Sequence, residues 1–86
     1  MIYKLGEAEY DEEDFDDMTD QELEDLKLLA SKFARDQDLL ITRGKQEWEA
    51  HGRLPGYGLT PAQYNAAKSA KAEALGLVDT IKLLLI

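Results

Sequence analysis

The sequence predicts an all-α protein: an antiparallel two-helix hairpin that follows an acidic N-terminal arm and completes a four-helix bundle as a homodimer. Three observations predict it. The same helix-start signature occurs twice, at residues 18–23 and 59–64. A stretch containing Gly52, Pro55, Gly56 and Gly58 separates the two helical patterns. The second pattern is apolar nearly all round towards its end, more than one neighbouring helix can shelter. The expected division is an arm over residues 1–18 and a hairpin over 19–86, with helices at about 20–51 and 61–86 and a loop at about 52–59.

The arm is defined by charge. Twelve carboxylates lie between Glu7 and Asp25 with no Lys or Arg among them; residues 1–25 carry only Lys4 against them, net −11, and residues 26–86 carry nine bases against six acids, net +3, giving the −8 of the chain. Glu7 to Asp17 is too acidic and too poor in apolar residues to pack by itself, so an extended or mobile segment is expected, pinned by Tyr10 and Phe15, with Ile2 to Leu5 a short strand before it.

The first helix starts at Met18-Thr19-Asp20-Gln21-Glu22-Leu23. Thr19 caps the Glu22 N–H, the Glu22 side chain returns to the Thr19 N–H, and Met18 with Leu23 forms a hydrophobic staple. At 100° per residue, Leu23, Leu26, Leu29, Ala30, Phe33, Ala34, Leu40, Ile41 and Trp48 form one broad stripe, with Gln37 and Gly44 inside it. Gly44 costs up to about 1 kcal/mol relative to Ala in a helix interior, which points to a close backbone contact or a bend. Leu28 and Leu39 lie on the opposite side, eleven residues apart and nearly eclipsed after three turns. Isolated exposed leucines are common, and the second helix is what turns these two towards a partner.

That helix starts at Leu59-Thr60-Pro61-Ala62-Gln63-Tyr64, with Thr60 and Gln63 in the capping roles and Pro61 at the first helical position. Its stripe runs through Ala66, Ala67, Ala70, Ala74, Leu77, Val78, Ile81, Leu84 and Leu85. Tyr64, Leu75 and Ile86 form a second seam at intervals of eleven, joined by Leu83. Helices of these lengths, on the order of 45 and 40 Å, lie side by side across a short loop. A hairpin alone leaves the apolar tail in water, so Leu28, Leu39, Tyr64, Leu75, Leu83 and Ile86 are the expected self-association surface.

Little in the chain suggests catalysis. His51, the only histidine, sits where a helix C-terminus favours a cation. Ser31 and Ser69 have no histidine near them in sequence, and no catalytic residue is assigned. The acidic run lacks the glycine and terminal glutamate of a calcium loop, so no metal and no cofactor is expected. There is no cysteine to form a disulfide or a thiolate zinc site. With no signal-like start and no run of about 18 apolar residues, the reading is a cytoplasmic protein that neither enters membranes nor binds nucleic acid directly.

The expected function is that of a small acidic, non-enzymatic interaction or regulatory module that self-associates through its C-terminal helix. Two other classes fit the composition: an inhibitor that imitates nucleic acid towards a basic protein through residues 7–25, and a helical scaffold or assembly subunit of a larger complex. In the arm, Asp11, Asp14, Phe15, Asp16 and Asp17 are the residues expected to meet a basic surface, against the alternative of a merely solvated segment. Lys68 and Lys71 have no carboxylate three or four residues away and are expected to meet the arm. Arg43 with Glu47, Lys45 with Glu49, Asp79 with Lys82 and Glu24 with Lys27 read as surface pairs. At the loop, Arg53 and Tyr57 are candidates for partner binding, and Trp48 and Tyr57 alternatively plug the end of the core.

Overall fold

The structure, a computed structural model, describes residues 2–54 and 56–86; Met1 and Pro55, one of the residues expected to end the first helix, lie outside the described residues. Strand β1 (Ile2–Leu5) pairs antiparallel with β2 (Ala8–Asp11), followed by the short α1 (Glu12–Asp16), the long α2 (Asp20–Ala50) and α3 (Pro61–Leu84). The helices pack along their length in a particle 50 × 18 × 17 Å. Their antiparallel course shows in the contacts: Leu59 lies on Gly44 and Lys71 reaches Asp38, while Leu23 and Leu26 share a core cluster with Val78 and Ile81.

Both capping boxes form. The Thr19 hydroxyl accepts from the Glu22 N–H at 3.2 Å, and a Glu22 carboxylate oxygen accepts from the Thr19 N–H at 3.4 Å. At α3 the distances are 3.2 Å for Gln63 N–H to the Thr60 hydroxyl and 3.0 Å for Thr60 N–H to the Gln63 side-chain oxygen. These bonds satisfy donors that a helix start leaves without intrahelical partners. At its other end α2 closes on His51. The Gly52 N–H donates to the Glu49 carbonyl and the Arg53 N–H to the Trp48 carbonyl at 2.8 Å, with Gly52 at φ +66, the Schellman arrangement that reverses the chain.

Of the two expectations at Gly44, a close contact or a bend, the structure shows the contact. A Cβ built there would stand 2.5 Å from Leu59 Cγ, so the bare backbone is what lets the loop settle onto α2.

The expected strand at Ile2–Leu5 forms, and the acidic segment, expected to be extended or mobile and pinned by Tyr10 and Phe15, is held by those two residues but folds as β2 and α1; the two-stranded sheet corrects the all-α class. Gly6, at φ +62, turns the chain between Leu5 and Ala8. The strand period of two puts Tyr3 and Leu5 on the buried face while Ile2 and Lys4 point out, and Tyr3 lies opposite Tyr10 with Lys4 opposite Glu9. β1 lies across α3, where the Tyr3 hydroxyl is 3.0 Å from the Thr80 hydroxyl. The Phe15 ring, 5.9 Å from that of Tyr3, is buried beside it. The hairpin and α1 therefore supply a third side of the core around Leu77 and Ile81, both fully buried.

Three members of the expected α2 stripe, Leu29, Leu40 and Trp48, are exposed, as are Ala66 and Leu84 of the α3 stripe. Leu29 and Leu40 project about 85° from the centre of the buried arc, too far round for a two-helix contact to cover. At Trp48 the cause is different, because the hairpin is open there and the ring lies at its tip.

Candidate functional site

No polar or charged residue is buried among the described residues. Three surfaces stand out: the acidic end, the hairpin tip and the outward leucines.

At the acidic end, Glu12, Glu13, Asp16 and Asp17 are exposed around α1. Asp14 is drawn into local structure, its carboxylate accepting the Asp11 N–H at 2.8 Å. Phe15, expected to face a partner, is instead a core residue. Lys68 and Lys71 do not meet this end. Lys71 pairs with Asp38 at 2.8 Å and Lys68 lies 5.5 Å from the Tyr64 ring, because the hairpin fold carries both towards the opposite end of the rod. Of the expected surface pairs, Glu24 and Lys27 meet at 3.0 Å. Glu47 approaches His51, at 3.6 Å, and not Arg43; Lys45 with Glu49 and Asp79 with Lys82 are not among the described ion pairs. Apart from Glu24, the carboxylates between Glu7 and Asp25 have no ion-pair partner among the described residues.

The tip is built by the α2 end and the loop. Arg53 holds a left-handed backbone, φ 66, unusual for a residue with a side chain, and its guanidinium lies 5.1 Å from the Trp48 ring. His51 and Tyr57 stack with centroids 3.8 Å apart and planes at 15°. Neither Trp48 nor Tyr57 plugs the core, since both are exposed. Below them Gly44, Lys45, Trp48, Leu59, Pro61 and Tyr64 line a half-open, largely apolar recess of about 370 Å³. Lys45, Leu59 and Pro61 were not singled out as binding residues on sequence grounds; the interior Gly44 was the one signal that something lay against α2 there.

The third feature is the set of large apolar side chains left outside on both helices. Leu28, Leu39, Leu75, Leu83 and Ile86 all face outward, Leu83 at 72% and Ile86 at 99% exposure, with Tyr64 half-buried at the edge of the recess. Leu29 and Leu40 join Leu28 and Leu39 on α2, so four leucines in two adjacent pairs stand on one side of that helix. Among the described residues no group of three His, Cys, Asp or Glu side chains is placed to hold a metal ion, and no described helix is long and apolar enough to cross a membrane. Comparison with known protein families, with curated proteins and with solved structures finds no match for this chain.

Proposed function

We propose that the chain is a non-enzymatic protein interaction module that works as a homodimer. The observation that carries this reading is the set of large apolar side chains left outside after the N-terminal hairpin has folded onto α3. Leu77, Val78 and Ile81 are covered, yet Leu28, Leu39, Leu75, Leu83 and Ile86 are not. At roughly 25 cal/mol per Å², burying several such side chains against a second molecule is a substantial driving force. At 86 residues the chain buries a limited core of its own, and with no cysteine a second subunit is the available means of enlarging it.

Sedimentation equilibrium of the full chain between about 1 and 200 μM tests the reading against typical affinities. A monomer–dimer equilibrium or a stable dimer is expected; a folded chain that stays at 9.7 kDa across that range overturns it.

A further inference from the structure

Resting on the self-association reading, we infer that two copies pair antiparallel through the outer face of α2, about a two-fold axis at the level of Ala34. The face is defined by exposure and by helix geometry. Leu28, Leu29, Leu39 and Leu40 are 64%, 53%, 48% and 45% exposed. At 100° per residue they fall in one arc with Asp25, Lys32, Asp36 and Arg43, all exposed, and this arc is centred about 135° from the direction of the α2–α3 core.

The order of residues along this arc is self-complementary. A two-fold axis at position 34 sets residue 34 − n of one copy level with residue 34 + n of the other, and the two meet where both lie near the centre line of the face. Because the axis keeps each margin of the face on its own side, Leu28 then packs beside Leu39 of the second copy and Leu29 beside Leu40. Lys32 meets Asp36 and Asp25 meets Arg43, and symmetry makes each pairing occur twice, as an isologous interface requires. Farther out, Gln21 comes beside Gln46 and Glu22 beside Glu47, so the charge match holds from Asp25 to Arg43 and ends there. Within its own chain none of Lys32, Asp36 and Arg43 has an ion-pair partner among the described residues. From Asp25 to Arg43 the contact extends about 27 Å along the helix.

The alternatives are worse by charge. A parallel pairing of the same face sets Lys32 on Lys32, Asp36 on Asp36 and the two acidic ends together. The α3 seam, paired about Leu75, brings Tyr64 to Ile86 but opposes Lys68 to Lys82 on both sides of the axis. Like charges juxtaposed at an interface select against that arrangement. The antiparallel α2 pairing also lays the strongly acidic end of each rod alongside the second copy's tip, where Arg43, Lys45 and Arg53 outnumber Glu47 and Glu49, and away from the second acidic end. Because the face stands well away from the core direction, the four helices form a layered array with the two α2 helices inside and the α3 helices outside.

Charge reversal in the full chain tests the register by sedimentation equilibrium, with circular dichroism confirming that each variant stays helical. Lys32→Asp alone and Asp36→Lys alone each turn two attractive pairs into two repulsive ones, and each is expected to weaken dimerisation at least about tenfold. The double variant K32D/D36K restores both pairs and should return to within about threefold of the unmodified chain. An equimolar mixture of the two single variants should form heterodimers that neither forms alone as homodimers. If the unmodified chain dimerises and the single reversals leave its Kd unchanged, the α2 register is wrong while self-association stands; if the unmodified chain is monomeric, both fall.

Discussion

Gly44 and Gly76 both sit inside helices, and what surrounds them gives opposite expectations for the same substitution. Alanine in a helix interior is favoured over glycine by about 1 kcal/mol. At Gly76 an added Cβ meets nothing within 4 Å, so Gly76→Ala should stabilise the fold by about that amount. At Gly44 the Cβ would stand 2.5 Å from Leu59 Cγ and 2.8 Å from Leu59 Cδ1, and the overpacking cost of about 1–3 kcal/mol outweighs the helix gain. Gly44→Ala should therefore lower stability. Urea denaturation of the two variants checks the pair of signs, and stabilisation by both would mean that Leu59 does not rest on the helix. At this scale part was legible in the chain: a glycine inside the apolar stripe announced a close contact or a bend, and the structure shows the contact. Its partner was not, because only closure of the loop identifies Leu59.

The element that changes the picture most is the N-terminal hairpin. An acidic, mobile arm would tolerate truncation of its few apolar side chains with little effect. Leu5 and Phe15, however, are buried with Leu77 and Ile81, and large-to-small substitutions in such positions cost about 2–5 kcal/mol. Leu5→Ala should accordingly lower the free energy of unfolding by about 2 kcal/mol or more, measured by urea titration; a change below about 0.5 kcal/mol would restore the solvated arm. The helices were readable because capping boxes and the 3.6 period are local signals. β1 left a local signal as well, in the alternation of Tyr3 and Leu5 with Ile2 and Lys4. β2 did not, because Ala8-Glu9-Tyr10-Asp11 has one large apolar residue and two carboxylates, and it becomes a strand only when β1 supplies its partner.

For the whole molecule the governing quantity is the separation of charge along a 50 Å rod. The acidic segment from Glu7 to Asp25 is folded against the protein with one ion pair, Glu24 to Lys27, to offset its twelve carboxylates among the described residues. Self-repulsion of this kind works against the compact state and is screened over about 10 Å at 0.1 M salt. Raising NaCl from 20 mM to 500 mM should therefore raise the melting temperature, by about 5 °C if screening recovers about 1 kcal/mol in a domain of this size. A melting temperature that falls with salt would show that attractive pairs outweigh the repulsion. The same segregation bears on assembly, because it disfavours any dimer that places two acidic ends together.

The residues alone determined where the long helices begin, which stripes they bury first, and that more apolar surface exists than a hairpin can hide. Each of these follows from neighbours three or four positions apart, whose chemistry acts wherever the chain goes. Tertiary structure decided how that surplus is divided. The strand from Ile2 to Leu5 returns across more than seventy residues to cover Leu77, Val78 and Ile81, drawing Phe15 into the core and leaving Leu28, Leu39, Leu75, Leu83 and Ile86 outside. Which apolar side chains are sheltered depends on contacts between segments remote in sequence, and no local period records them.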